Sequence, residues 1–71
     1  MELKKVHSSN VAAVGYDPST QILRVEFKSG GSYDYANVDP VHAAQIQSAP
    51  SIGGYIARHI KPHHKATRVS A

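Results

Sequence analysis

An alternating run between residues 23 and 35 constrains the fold more than any other part of the sequence. Leu23, Val25 and Phe27 alternate with charged side chains, which is the pattern of a strand with one buried and one exposed face. The segment Ser29–Ser32 contains two glycines, and glycine readily adopts the positive φ angles that tight reversals need. The run therefore predicts a β-hairpin.

Two tyrosines on the second strand of this hairpin, Tyr33 and Tyr35, must face the same side of the sheet. A turn of two or four residues places both on the exposed face, opposite the charged side chains of the first strand. A three-residue turn with Gly31 as a left-handed bulge places them opposite Val25 and Phe27 in the core, because a one-residue change of register moves the whole set. The neighbouring apolar strand favours the core placement, and the sequence leaves both open.

A further strand is predicted before the hairpin, at Val11–Tyr16, where the residues are apolar and β-branched. A turn follows in which Asp17 can accept backbone hydrogen bonds and Pro18 presets φ. Two pairings would align this strand with the hairpin: Val14 opposite Leu23, and Ala12 opposite Val25. The prediction is a three-stranded antiparallel meander that is apolar on one face.

A first helix is predicted to begin after Asp39, which is a favourable N-cap followed by proline at the first helical position. Val38 and Ala43 have the spacing of a hydrophobic staple. The apolar side of this helix is thin, with Ile46 as its largest member. Pro50 ends the helix, because the residue before a proline is biased out of the α region.

A second helix is predicted to follow Ser51 as its cap. Its apolar stripe has the spacing i, i+3, i+4 and i+8 and consists of Ile52, Tyr55, Ile56 and Ile60. Gly53 and Gly54 in the first turn cost helix propensity. Either close packing at the helix start or the approach of an anion to its N–H groups would account for them, and packing is favoured.

The length of 71 residues predicts a single domain, 1–71, with a small core. The ordered part is expected at about 6–60, and residues 61–71 are expected to form a basic, histidine-rich tail that is at least partly mobile. No cysteine is present to form a disulfide, so dimerisation remains open. The N-terminal sequence lacks an apolar signal region, and no apolar run reaches the length of a membrane span, so a cytoplasmic protein without membrane partners is expected.

Metal and catalytic sites are not expected from the sequence. His59, His63 and His64 are close in sequence, but Pro62 interrupts the helical register between them and no carboxylate is nearby. Neither a nucleophile elbow nor a phosphate-cradling loop is present. We therefore expect no cofactor, no metal and no enzymatic activity.

Nucleic acid is the favoured ligand, because Lys and Arg number 8 against 5 Asp and Glu, and because aromatic side chains on a basic sheet can stack on single-stranded bases. Stacking is assigned to Tyr33 and Tyr35. Phosphate contacts are assigned to Arg24, Lys28, Lys61, Lys65 and Arg68, and to the helix start at Ser51 and Gly53. The alternative is a protein-interaction module that uses a free sheet edge or the thin side of the first helix, as a monomer or a homodimer.

Several motifs, in order, resemble the KTSC domain family over roughly residues 6–69. They are the Ser8–Pro18 segment, the Leu23–Gly31 segment, Tyr33-Asp34-Tyr35, Val38-Asp39-Pro40, and Ser48–Gly53 with Tyr55 and Ile60. This short module is found at the C-terminus of some lysyl-tRNA synthetases and as separate bacterial and phage proteins. The resemblance implies an RNA-binding role, which has been suggested for the family. Pro62-His63-His64 departs from the family pattern, which often has aromatic residues after the last helix.

The sequence therefore predicts an α+β fold: a three-stranded antiparallel β-meander followed by two short α-helices packed on one face. The leading function is a small non-catalytic module that binds RNA or other single-stranded nucleic acid.

Overall fold

The computed structural model describes residues 3–70, in which an antiparallel sheet carries two helical segments on one face. Its five strands are β1 (Lys4–Lys5), β2 (Val11–Asp17), β3 (Ile22–Phe27), β4 (Ser32–Tyr35) and β5 (Ala66–Ser70), and they neighbour one another in that order. Helix α1 (Pro40–Ser48) is followed by α2 (Ile52–Tyr55), which continues as a π-helical turn (Ile56–Ile60). The α+β fold is thus confirmed, but the sheet has five strands rather than three.

The segment 61–71, expected as a mobile tail, contains strand β5. Its backbone pairs with β4, with Arg68 opposite Tyr33 and Ala66 opposite Tyr35. Strand β5 was not predicted, because the prediction for this segment relied on its lack of apolar residues, whereas an edge strand is held by backbone hydrogen bonds that almost any sequence can form. The N-terminal lead-in likewise contains the short strand β1, paired with β2.

The β3–β4 hairpin confirms the core placement of the tyrosines. The Phe27 N–H donates to the Gly31 carbonyl at 2.9 Å and closes a three-residue turn. Val25 then lies opposite Tyr33, and the next pair on this face is Leu23 with Tyr35. The left-handed residue is Gly30, with φ of 111°, rather than Gly31.

The pairing of β2 with β3 differs from the prediction by two residues. Val14 lies opposite Val25, and an irregularity between Val11 and Ala13 shifts the register beyond that point. A two-residue shift preserves which side chains share a face. The bulge nevertheless replaces the predicted core residue Ala12 with the fully buried Val11.

The core lies between the sheet and the helices. The predicted helical stripe is confirmed, since Ile52, Ile56 and Ile60 are buried. Buried side chains also come from β2, β3, β4 and α1, and from the residue before the α1 cap: Val11, Val14, Leu23, Val25, Tyr35, Val38 and Ile46. None of the helices within residues 3–70 is long and apolar enough to cross a membrane.

Both predicted helix caps are present. The Asp39 carboxylate accepts the His42 N–H at 2.9 Å, and the Ser51 hydroxyl accepts the Gly54 N–H at 3.1 Å. These side chains satisfy backbone donors that have no partner within the helix. They also fix where α1 and α2 begin over the sheet.

Candidate nucleic-acid interface

A shallow groove lies between the tip of the β3–β4 hairpin and the chain that follows the π-helical turn. Its cavity volume is about 480 Å³. The groove is lined by Phe27, Ser29, Tyr33, Tyr35, Lys61, His64 and Ala66. No carboxylate is among these lining residues, so the groove suits an anionic ligand better than a cationic one.

Two aromatic rings form the sheet side of the groove. Phe27 and Tyr33 contact each other edge to face, with 5.9 Å between ring centroids. They share a sheet face with the fully buried Val25, but both remain partly exposed. The hairpin therefore projects an aromatic pair past the buried part of that face.

Cationic side chains lie against both rings. Lys61 Nζ is 5.3 Å from the centroid of Phe27, and the Arg68 guanidinium is 5.9 Å from that of Tyr33. Attraction between the cations and the negative ring faces holds the charges beside the aromatic pair. Since a nucleotide combines a flat base with a phosphate, this arrangement matches both of its parts.

Tyr35 does not serve as a stacking surface, which corrects the role predicted for it. Its side chain is only 2% exposed and belongs to the core cluster. Burial, together with the neighbouring Tyr33 phenol, raises the pKa of its hydroxyl. A base could reach this ring only after the core had opened, so stacking within the predicted pair is left to Tyr33.

Arg24 lies outside the groove, which corrects the phosphate contact predicted for it. It alternates with the core residues of β3 and thus lies on the opposite sheet face. Its guanidinium donates to both carboxylate oxygens of Asp34, at 2.7 and 2.9 Å. That hydrogen-bonded carboxylate raises the pKa of Arg24, and the pair is a cross-strand contact within the sheet.

The remaining predicted phosphate contacts lie outside the lining of the groove. Lys28 is exposed but lines a different cavity, beside Lys5 and His7, whereas Lys65 is exposed and adjoins the groove residues His64 and Ala66 in the chain. Of the nine predicted residues, Tyr33, Tyr35 and Lys61 line the groove, and Arg68 lies over the ring of Tyr33.

Side chains of the protein itself, those of Ser51 and Asn10, lie at the start of α2. The Ser51 hydroxyl already accepts a backbone N–H, and a side-chain carbon at Gly53 would overlap Asn10 Oδ1. This contact favours the packing interpretation of the glycines over the anion interpretation. Ser51 and Gly53 are therefore not part of the groove.

Four groove residues were missed from the sequence: Phe27, Ser29, His64 and Ala66. Phe27 could have been found, because strand periodicity places it on the same face as Val25, and the hairpin turn then decides that Tyr33 is its neighbour. His64 could not, since its position depends on a contact between its Nδ1 and the distant carbonyl of Ala36 at 2.8 Å.

Metal binding finds no support in the part of the chain that the structure describes. Among residues 3–70, no group of three or more His, Cys, Asp or Glu side chains is arranged to hold a metal ion. His59 stacks on Tyr55, while His64 contacts His42 and the Ala36 carbonyl. The histidines are thus placed among rings and not around a common centre.

Comparison with known proteins identifies several relatives. Residues 7–64 match the KTSC domain model. An uncharacterised protein of Stutzerimonas stutzeri is 39% identical over 64 residues, covering 90% of both chains. A lysine–tRNA ligase of Nostoc sp. is 37% identical over 68 residues, which are 96% of this chain but 12% of the ligase. The crystal structure of a KTSC domain protein from Yersinia pestis has a TM-score of 0.94, with 28% identity and 97% of each chain covered.

Proposed function

The chain belongs to the KTSC domain family, and on that premise we propose that it is a small non-catalytic module that binds single-stranded RNA in the groove beside the β3–β4 hairpin. The observation that carries this proposal is that each of the two partly exposed rings of the groove, Phe27 and Tyr33, has a cation over it. Lys61 lies over Phe27, and Arg68 lies over Tyr33. Similarity to ligases whose named substrate is a transfer RNA supports RNA as the nucleic acid.

The role of each groove residue follows from its position. Tyr33 is half-buried, so its ring is fixed by packing and still offers surface on which a base can stack. Lys61 is exposed and reaches the rim, where it can contact a phosphate attached to that base. His64 and Ser29 add hydrogen-bonding groups to the lining of the groove.

Binding fits this groove better than catalysis does. The groove is shallow and open, while enzyme sites are usually concave pockets that enclose most of their substrate. Its lining holds no carboxylate that could work with His64 as an acid–base pair. We therefore propose a role in binding or positioning RNA.

Substitution of Tyr33 tests the stacking role. Tyr33→Leu should weaken binding of a mixed-sequence RNA of about eight nucleotides by roughly tenfold, since base–aromatic stacking contributes about 1–3 kcal/mol. Tyr33→Phe is the matched control and should retain binding because it keeps the ring. Fluorescence anisotropy at low salt measures both. RNA that binds neither the native chain nor the Phe variant would overturn the proposal.

Salt dependence tests the phosphate role of Lys61. Each phosphate contact on a single strand contributes a slope of about 0.7 in log affinity against log salt. Lys61→Ala should therefore reduce the slope by roughly that amount. Lys4→Ala removes the same charge from β1, at the opposite edge of the sheet, and should leave the slope nearly unchanged. Equal slopes for the two variants would contradict a phosphate contact at Lys61.

The alternative of a protein-interaction module that accepts a partner strand has less support. β1 is only two residues long and consists of lysines, which discourages pairing at that edge. At the other edge, the β4–β5 register is irregular between the Tyr33–Arg68 and Ser32–Ser70 pairs. Such irregularities and basic side chains are features that keep edge strands from pairing with other chains.

A further inference from the structure

A row of four rings leads from the groove across the helical side of the molecule. His64, which lines the groove, contacts His42 at 6.3 Å between ring centroids. His42 contacts Tyr55 at 6.5 Å, and Tyr55 contacts His59 at 4.7 Å. The rings are supplied by α1, α2, the π-helical turn and the turn that follows it, so only the tertiary structure brings them together.

The row ends at a second cavity of about 220 Å³. Tyr55 and His59 line this cavity together with Arg58 and Pro50. Arg58 and His59 are exposed, and Arg58 shares the lining of the cavity with the Tyr55 ring. The second cavity thus repeats the chemical combination that marks the groove.

Hydrogen bonds hold two of the rings in place. The Tyr55 hydroxyl donates to Gln45 Oε1 at 2.7 Å, and His64 Nδ1 lies 2.8 Å from the Ala36 carbonyl oxygen. Fixed rings lose little conformational entropy when a ligand stacks on them. Tyr55 and His64 are therefore held in place before a ligand arrives.

Core packing does not account for this row. Tyr55 packs against the hydrophobic core cluster but remains partly exposed. The His42 side chain is 39% exposed, and His59 is exposed. Flat side chains at the surface are the surfaces on which successive bases of a single strand stack.

We propose that this row and Arg58 form a second subsite, so that a single strand of RNA runs from the groove over His42 and Tyr55 to the second cavity. This inference rests on the proposed function and deepens it. The ligand is then a single-stranded segment of about four nucleotides or more rather than a mononucleotide. Arg58 contacts a phosphate at the far end, as Lys61 does in the groove.

A comparison of short and long RNA tests the second subsite. On the native chain, an RNA of about eight nucleotides should bind at least tenfold more tightly than a dinucleotide, because only the longer RNA reaches both cavities. Arg58→Ala and His59→Ala should each weaken binding of the longer RNA about fivefold and leave the dinucleotide unaffected. Tyr33→Leu should weaken both ligands, and Lys5→Ala on β1 is the charge control.

The outcomes separate this inference from the proposed function. If Tyr33→Leu weakens binding but Arg58→Ala and His59→Ala leave the longer RNA unaffected, the second subsite is wrong and the groove proposal stands. If the native chain binds the dinucleotide and the longer RNA with equal affinity, the second subsite is likewise wrong. If neither RNA binds, both proposals are overturned.

Discussion

At the scale of single residues, hydrogen bonding decides what each charged side chain does. Asp17 accepts from both the hydroxyl and the N–H of Ser19, at 2.7 and 3.0 Å. Arg24 is joined to Asp34, while Lys61 lies over an aromatic ring. Charges that look alike in the sequence therefore differ in function. Those with partners inside the fold support a turn or a sheet, and Lys61 lies where a ligand can reach it.

The turn at Asp17 makes stability depend on pH. Hydrogen bonds from Ser19, first from its hydroxyl and then from its N–H, lower the pKa of the Asp17 carboxyl below its ordinary value of 3.8. The unfolded chain thus binds this proton more readily, so the stabilisation is complete above that ordinary value and is lost as pH falls through the folded pKa. Asp17→Asn should be less stable than the native chain at neutral pH, and the difference should shrink in acid.

Urea unfolding between about pH 7 and about pH 2.5 measures this difference. Glu26→Gln, which removes the same charge from an exposed position on β3, is the control. The difference in the free energy of unfolding between Asp17→Asn and the native chain could instead stay constant down to the lowest pH. That result would show that the ionised carboxylate is not the stabilising form.

At the scale of elements, the start of α2 shows how a helix is seated against a loop. Gly53 approaches the Asn10 side chain so closely that a Cβ would overlap Oδ1. Asn10 is itself positioned by Ser8, whose hydroxyl donates to that same oxygen at 3.2 Å. Glycine in this turn therefore permits contact between α2 and the loop before β2, despite its low helix propensity.

This contact predicts that Gly53 and Asn10 are energetically coupled. Gly53→Ala should destabilise the native chain because the methyl group displaces Asn10. In an Asn10→Ala background the same change should be neutral or stabilising, since alanine favours a helix by up to about 1 kcal/mol. A double-mutant cycle by urea unfolding should give a coupling of about 1 kcal/mol. Gly54→Ala serves as a comparison, because its Cβ would meet Ser51 rather than Asn10. Additive effects at Gly53 and Asn10 would refute the packing interpretation.

At the scale of the whole molecule, β5 makes the C-terminal segment part of the sheet. The radius of gyration over Cα atoms is 10.7 Å, close to the value of about 11 Å expected for a compact chain of this length. The helices lie between β4 and β5 in sequence, and the last strand returns to cover the edge of β4. This return also places Arg68 opposite Tyr33 and brings Ala66 into the lining of the groove.

A proline substitution in β5 tests whether this strand is paired with β4. The Ala36 N–H donates to the Lys65 carbonyl, and alternation along an antiparallel ladder then directs the Thr67 N–H towards Asp34. Thr67→Pro should lower the free energy of unfolding by about 2 kcal/mol relative to Thr67→Ala, because it removes this donor and leaves an acceptor without a partner. Urea unfolding compares the two variants. Equal stability would mean that the segment behaves as a tail.

The sequence was sufficient for the elements whose signals are local. Alternation predicted β3, capping residues predicted where α1 and α2 begin, and the isoleucine stripe predicted which side of the second helix is buried. These features depend on neighbours within a few residues, and the physical rules that govern them act at that range.

The tertiary structure alone decided the rest. The hairpin turn placed both Tyr33 and Tyr35 on the core face, because one residue of register changes the face of every side chain. Tertiary packing then buried Tyr35 and left Tyr33 partly exposed at the groove. The edge strand β5 has no apolar alternation to reveal it, and its stability comes from backbone pairing with a strand some thirty residues earlier. Local patterns carry no information about contacts between segments distant in sequence. Such contacts decide which cations lie beside aromatic rings, and they bring His64 and His42 together.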